Sequence, residues 1–304
     1  MPEVQRDALC TSTAEVIDRL SIVKKLSLCD VFWDVLLPSL RVALTGMFRA
    51  PSVTEVFFRQ FVIHAFADLA SLMSHLTQLK VLKVVEMICG DWSAPNHAGV
   101  STGPIKLDTL ILDDRAFFPW FQQGGCPLGL ENLQYLQLYS SASNPRMTAF
   151  FLQQAASSLT ELTLEWMDGL IHLGYMAPNL KTLELVDSFE SNRISLIPWI
   201  WSLFEPRLNA EQKKYSLRQL SIFRLLCVDD FSDSYWREWA TLDTLLGKPE
   251  FDALETVDIM MRSSTTPVGM YAVEMLSKNL PSLKGPEKLN IGCQIEEGKE
   301  MIIA

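Results

Sequence analysis

The residues that most often carry chemistry are scattered through this sequence. The four histidines are His64, His75, His97 and His172, and the chain has no His-x-Glu, His-Glu-x-x-His or Cys-x-x-Cys metal-binding spacing. Apolar periodicity predicts one helix containing both His64 and His75, on the same side but about three turns apart. We therefore interpret the histidines as ordinary surface or core residues and expect no metal ligands.

Two carboxylate pairs and one glycine-rich tract are the remaining catalytic candidates. Asp113-Asp114 and Asp229-Asp230 follow predicted strand ends, where aspartate is favoured in turns and helix caps. The tract 124–127, Gly-Gly-Cys-Pro, is typical of a loop and lacks a following phosphate-binding helix. Cys126 has no histidine near it in the sequence, so a reactive thiol stays an open alternative. The sequence has no nucleophile-elbow, Walker or dinucleotide-binding motif, so we expect no catalytic residues and no cofactor. An enzyme whose site residues are dispersed along the chain is the less favoured alternative.

Composition narrows the class of partner. The formal net charge of -10 argues against nucleic acid, which requires a concentrated basic surface. Six cysteines without a Cys-x-x-Cys pair favour reduced, intracellular thiols. The N-terminus has no signal-peptide pattern, and the most apolar stretch, 56–73, is interrupted by polar residues. The sequence therefore predicts a cytoplasmic or nuclear protein with no membrane span.

A repeated leucine pattern indicates which elements hold the chain together. Four stretches read Leu-x-x-Leu-x-Leu without substitution: Leu107/Leu110/Leu112, Leu133/Leu136/Leu138, Leu159/Leu162/Leu164 and Leu180/Leu183/Leu185. Relaxed triplets with Ile, Val or Phe extend the series at Val23/Leu26/Leu28, Val53/Val56/Phe58, Leu79/Leu82/Val84, Leu217/Leu220/Ile222 and Leu254/Val257/Ile259. Leu289 and Ile291 form a degenerate last unit. A period of this size is typical of a repeat protein.

Helix-sized segments separate the triplets. Helical spacing predicts helices at 232–247 with Trp236, Trp239, Leu242, Leu245 and Leu246 on one stripe, at 266–279 with Val268, Tyr271, Met275 and Leu276 inward, along Ile63 to Leu76, near 148–157, and from Pro198. Strands alternating with helices must pair in parallel, because a tight hairpin cannot reach a parallel neighbour. The aromatic residues on these stripes are interpreted as core.

The triplets resemble the leucine-rich-repeat superfamily from about Val23 to Ile291. This resemblance implies an α/β fold, an irregular solenoid or horseshoe of about 9–10 repeats, with a parallel sheet on its concave face and helices on its convex face. We expect residues 1–22 to be an N-terminal flank or cap and residues 23–304 to be one solenoid domain. The family's polar ladder position holds Val31, Met87, Arg115, Ser141, Met167 and Ser188 instead, so the inner turns must satisfy their backbone groups in other ways.

The tract from Phe32 to Phe58, FWDVLLPSLRVALTGMFRAPSVTEVFF, resembles the start of the repeat region in fungal F-box/leucine-rich-repeat proteins. In that family an F-box docks a Skp-type adaptor of a ubiquitin ligase, and the repeats hold the substrate. The roughly 22 residues before the first triplet are too few for a three-helix F-box. The resemblance therefore implies a substrate-recognition module, with an adaptor partner only if an F-box is present elsewhere. A repeat scaffold unrelated to ubiquitin is the alternative.

Period-two alternation identifies the residues that face away from the core. If the leucines point inward, the side chains between them line the concave face. The partner-binding candidates there are Phe57, Lys83, Asp113, Tyr135, Gln137, Tyr139, Glu161, Glu165, Glu184, Phe223 and Asp258. Tyrosine supplies rigid contact area, and carboxylates select a Lys- or Arg-bearing partner, so we expect a basic peptide or protein surface to bind. The alternative is that these residues serve only solubility.

Overall fold

The chain forms a mixed α/β structure, described here from a computed structural model. The described residues are 3–20, 22–91, 105–113, 118–122, 126–139, 145–165, 173, 178–187, 196–208, 214–226, 233–284, 288–295 and 301–303. They divide into two compact units, Met1–Leu133 and Gln134–Ala304. The prediction of a single domain over 23–304 stays a prediction.

The first unit alternates strands with helices. Its elements are α1 Glu3–Asp18, β1 Lys25–Cys29, a 3-10 helix Trp33–Val35, α2 Pro38–Phe48, β2 Glu55–Arg59, β3 Val62–Ala65, α3 Phe66–Met73, β4 Val81–Val85, β5 Ile88–Asp91, β6 Ile105–Lys106, β7 Thr109–Leu112, α4 Phe118–Gln122 and β8 Leu128–Gly129. Strands β1, β2, β4 and β7 are parallel neighbours, and the middle triplet residues Leu26, Val56, Leu82 and Leu110 are in register. Two short parallel ladders, β3 with β5 and β6 with β8, accompany this sheet.

The second unit continues the alternation. Its elements are β9 Tyr135–Leu138, α5 Pro145–Gln154, β10 Glu161–Glu165, β11 Thr182–Asp187, α6 Leu196–Leu208, β12 Gln219–Leu225, α7 Asp233–Leu246, a 3-10 helix Pro249–Phe251, β13 Thr256–Ser263, α8 Thr266–Asn279, α9 Pro281–Lys284, β14 Leu289–Ile295 and β15 Met301–Ile303. Strands β9 to β14 are parallel, with Leu136, Leu162, Leu183, Leu220, Val257 and Leu289 in register. Strand β15 is antiparallel to β14 and lies outside the predicted series.

The alternation of buried and exposed residues explains why these segments are strands. In β11 the burial pattern alternates strictly, with Leu183 and Leu185 buried and Thr182 and Glu184 half-buried. Burying a leucine side chain contributes about 1.5–3 kcal/mol, so a register slip of one residue, which would expose the whole leucine set, is strongly disfavoured. The parallel pairing of these strands confirms the parallel sheet that the triplets predict.

The helices complete the core but differ in detail from prediction. In α7 the tryptophans Trp236 and Trp239 are fully buried, as predicted. In α8 the fully buried residues are Gly269, Ala272, Val273 and Leu276. Of the four residues predicted to face inward, Leu276 is buried, whereas Val268, Tyr271 and Met275 are half-buried, and the Tyr271 ring lies 6.0 Å from the ring of the buried Trp236. Small residues face the sheet there because the helix approaches it closely: a β-carbon on Gly269 would lie 2.7 Å from Cys293 Sγ.

The predicted helix from Ile63 to Leu76 is shorter than expected. Ile63 and His64 belong to strand β3, α3 begins at Phe66, and His75 follows its end. The prediction that His64 and His75 share one helix was therefore wrong. Apolar residues of a short buried strand followed by a helix mimic helical spacing, since Ile63, Phe66, Leu69, Met73 and Leu76 are all buried.

Candidate functional site

The sheet of the second unit has one face that the triplet leucines do not occupy, here called the open face. It carries the side chains that alternate with the buried residues of β9 to β13: Tyr135, Gln137, Glu161, Thr163, Glu165, Thr182, Glu184, Val186, Gln219, Ser221, Phe223, Thr256, Asp258 and Met260. The parallel register aligns them in lateral rows across the strands. Seven of the eleven predicted partner-binding residues belong to it, and an eighth, Tyr139, directly follows β9.

A hydrogen-bonded row crosses three strands of the open face. The Tyr135 hydroxyl donates to Gln137 Oε1 at 2.9 Å and lies 3.3 Å from Thr163 Oγ1. Thr163 Oγ1 in turn donates to Glu184 Oε2 at 3.2 Å. Because Tyr135 and Glu184 cover it from both sides, Thr163 is only 4% exposed although it lies on the open face. The row holds the Tyr135 ring and the Glu184 carboxylate in fixed positions.

The surroundings of Tyr135 keep its phenol protonated. Burial raises the pKa of Tyr135 above its ordinary value, and the carboxylates of Glu184 and Glu161 raise it further, whereas the hydrogen bond with Thr163 acts in the opposite direction. The hydroxyl is therefore a hydrogen-bond donor throughout the neutral pH range. It is unsuited to be a general base there.

The row is acidic. Glu161, the lateral partner of Tyr135, is exposed, and Glu184 is half-buried. Among the described residues neither of these two carboxylates forms an ion pair. Their charges are therefore not neutralised by a lysine or arginine of this part of the chain.

A second polar cluster and an apolar row flank this centre. Asp258 accepts hydrogen bonds from Gln219 Nε2 at 3.1 Å and from Asn290 Nδ2 at 2.8 Å, which fix the carboxylate between β12 and β14. The next lateral row is apolar, because Val186, Phe223 and Met260 are partners across β11, β12 and β13, each half-buried. The open face thus presents acidic, aromatic and apolar groups in ordered rows.

The remaining predicted candidates belong to the first unit. Phe57 and Lys83 are lateral partners on β2 and β4 and are half-buried, and Asp113 follows β7. Their neighbour on β7, Ile111, is the lateral partner of Lys83 and is buried. These residues do not form an acidic row like that of the second unit.

Two findings concern chemistry-bearing groups elsewhere in the described part of the chain. Burial raises the pKa of the Cys126 thiol to about 12, an effect that the Leu128 backbone hydrogen bond only partly opposes, so the reactive thiolate is scarce at neutral pH. No group of three or more His, Cys, Asp and Glu residues within the described ranges could hold a metal ion. His97, His172, Asp114, the 229–230 pair and the tract 123–125 lie outside the described residues.

No helix in the described ranges combines the length and the apolar character that are needed to cross a membrane.

Sequence reasoning missed three features near this surface. The leucine pattern indicates neither the burial of Thr163 nor the hydrogen bond that Asn290 donates to Asp258. Asp187 and Arg224 occupy inward positions of successive triplets and form a buried ion pair of 2.6 Å behind the open face. Opposite charges at equivalent inward positions were the signal that could have revealed this pair, since such residues are rarely buried alone.

Comparisons with known families, proteins and structures identify no relative of this chain. No family model, no curated protein and no solved structure matches the chain.

Proposed function

We propose that this chain is a leucine-rich-repeat interaction module whose open face binds a basic segment of another protein. The observation that carries the proposal is the row from Tyr135 through Thr163 to Glu184, with the exposed Glu161 beside it. The repeat assignment is supported by leucine triplets that pair in register within each unit. No enzymatic role is proposed.

Preorganisation makes this row suited to binding. Ordering flexible side chains at an interface costs about 0.5–1.5 kcal/mol each, and hydrogen bonds that already hold Tyr135 and Glu184 reduce that cost. Tyrosine is enriched at interface centres because its ring buries a large area while its hydroxyl keeps a partner. Carboxylates without a counter-charge complete the site by selecting lysine or arginine.

The test uses arrayed peptides of equal length that range from strongly acidic to strongly basic. We expect the full chain to retain the basic ones. The variant Tyr135→Ala/Glu161→Lys/Glu165→Lys should lose this binding by about tenfold or more, since it removes the ring and reverses two charges. The control Glu15→Lys/Glu274→Lys reverses two exposed carboxylates on α1 and α8 and should retain binding. Unchanged retention of basic peptides without aliphatic side chains by the folded open-face variant would refute the proposal.

The more specific form of this proposal is the substrate-recognition part of an F-box-type ubiquitin-ligase receptor. It is supported by the tract that resembles fungal F-box/leucine-rich-repeat proteins, which forms helix α2 followed by strand β2. Reproducible co-purification of a Skp-type adaptor with the full-length protein would favour this form. Its consistent absence would favour a scaffold unrelated to ubiquitin.

A further inference from the structure

Three neighbouring strands of the first unit, β1, β2 and β4, end in equivalent turns. The residues that follow β1, β2 and β4 are Asp30, Gln60 and Glu86, and all three have left-handed backbones, with φ of 55°, 49° and 53°. The turns also pair with one another, because Asp30 N donates to Arg59 O at 2.9 Å and Gln60 N donates to Val85 O at 3.1 Å. These backbone bonds satisfy the inner turns where the polar ladder of the resembled family is missing.

Beyond these turns three apolar side chains lie next to each other. Phe32 bridges to Val62, and Val62 pairs with Ile88 in the ladder of β3 and β5. Phe32 is 57% exposed and Ile88 is 61% exposed, and the two lie on either side of Val62. Together with the turns they line a groove of about 390 Å³, here called the turn groove, formed by Asp30, Phe32, Gln60, Val62, Glu86, Met87 and Ile88. Adjacent exposed apolar residues with a polar rim are typical of an interaction site.

The rim of the turn groove is negatively charged. Asp30 and Glu86 are both exposed, and the lining contains no lysine or arginine. Neither carboxylate forms an ion pair among the described residues. Arg59, which precedes Gln60 of the lining, alternates with the buried Phe58 and so belongs to the same sheet face as Phe57. The groove therefore combines an apolar floor with two carboxylates on its rim.

The backbone conformation at Asp30 and Glu86 is one that glycine adopts without strain, although aspartate tolerates it better than glutamate. A non-glycine residue in the left-handed region costs about 1–2 kcal/mol, and glycine avoids this cost. Charged side chains at Asp30 and Glu86 therefore occupy positions where glycine would be more stable. Strain of this kind concentrates at binding sites, where side-chain chemistry outweighs the loss of stability.

We propose that the turn groove is a second docking site, which takes a protein segment bearing a bulky aliphatic side chain next to lysine or arginine. The aliphatic group packs on Phe32, Val62 and Ile88, and the cation contacts Asp30 or Glu86. The occupant is assigned by charge complementarity and by the apolar floor. This site does not depend on the open face of the second unit.

The test measures fluorescence anisotropy of a labelled peptide, Gly-Lys-Leu-Lys-Leu-Lys-Gly, with the full chain. It is performed in the Glu161→Lys/Glu184→Lys background, so that binding at the open face does not contribute. Two matched peptides replace every Lys by Glu or every Leu by Ser. We expect the Lys/Leu peptide to bind and both matched peptides to bind about tenfold more weakly or worse. Absence of binding by the Lys/Leu peptide in this background would overturn the second site and leave the open-face proposal untouched.

Two groove variants then locate the binding. Asp30→Asn/Glu86→Gln removes both charges and should weaken the Lys/Leu peptide by about tenfold. Asp30→Gly/Glu86→Gly should weaken binding of the Lys/Leu peptide by about the same factor. It should also raise the midpoint of thermal unfolding, because glycine adopts the left-handed backbone without strain. The control Glu15→Gln/Glu274→Gln should bind like the background. Equal affinity of the groove variants and this control would refute the proposal.

Discussion

The buried ion pair between Arg224 and Asp187 gives the sharpest test of how the second unit is held together. The two residues are lateral partners at the ends of β12 and β11, and Arg224 Nη1 lies 2.6 Å from Asp187 Oδ2. Each is only 2% exposed, and the guanidinium also lies 5.1 Å from the ring centre of Tyr235. Removal of either partner would leave the opposite charge buried without this ion pair.

The expected magnitude follows from this burial. Breaking a buried pair by removing one partner costs about 3–5 kcal/mol, whereas replacing both partners by apolar residues of similar size is often neutral or stabilising. We therefore expect Asp187→Leu and Arg224→Met each to lower the free energy of unfolding by about 3–5 kcal/mol. The double variant Asp187→Leu/Arg224→Met should recover most of that loss.

An exposed pair of the same unit is the matched control. Arg218 Nη1 and Glu255 Oε1 are 3.6 Å apart, but their side chains are 62% and 65% exposed. Exposed pairs contribute about 0–1 kcal/mol, so Glu255→Leu should have a small effect. Urea unfolding followed by tryptophan fluorescence measures all four variants. The reasoning fails if Asp187→Leu costs no more than Glu255→Leu, or if the double variant is no more stable than Asp187→Leu.

Three further predictions concern single side chains. The pKa of Tyr135 is higher in the folded chain than the unfolded value of about 10. The protonated phenol therefore stabilises the folded state fully below that unfolded value, and this stabilisation is lost as the pH rises through the folded pKa. Tyr135→Phe should abolish this loss of stability in unfolding curves recorded at alkaline pH. Cys126, with a pKa of about 12, should react with iodoacetamide far more slowly at mildly alkaline pH than the exposed Cys29, and equal labelling in mass spectra would contradict its burial. Gly269→Ala should destabilise the folded chain by about 1–3 kcal/mol in thermal melts, because the new methyl group would strike Cys293 Sγ. The destabilisation should be smaller when Cys293→Ala removes that sulfur. An equal destabilisation in both backgrounds would exclude a clash with the sulfur.

The strands of this fold were predictable because their signal is local. An apolar residue at every second position, repeated in triplets, predicted the sheet and placed residues such as Leu136, Leu162 and Leu183 in register. Only one register buries every triplet, so the pairing follows from the pattern. Tertiary contacts were not needed for this part of the prediction.

Other features depend on contacts that the pattern does not contain. The short ladder of β3 and β5 has too few residues to show alternation, so Ile63 was assigned to a helix. The inward face of α8 is made of small residues such as Gly269 because the helix lies close to β14, whereas large residues were expected there. The first difference arises because so short a strand shows no period of its own, and the second because packing distance decides which residues of α8 face the sheet.

The candidate site was predictable in its composition but not in its organisation. Alternation correctly placed Tyr135, Glu161 and Glu184 on one face of the sheet. The hydrogen bonds that join Tyr135 to Glu184 pass through Thr163, whose burial results from its neighbours and could not be read from its own position. The left-handed turns at Asp30 and Glu86 were missed because polar residues after a strand predict a turn but not its backbone conformation.

The proposed preference of the open face for basic segments is tested most directly by reversing the charge of that face. Affinities of one lysine-rich peptide and one glutamate-rich peptide of equal length are measured for the full chain and for Glu161→Lys/Glu184→Lys, both carrying Asp30→Asn/Glu86→Gln to silence the turn groove. We expect the first protein to prefer the lysine-rich peptide and the second to prefer the glutamate-rich peptide, because the sign of the surface charge sets the preference. The same preference in both proteins would contradict binding at the row formed by Tyr135, Thr163 and Glu184.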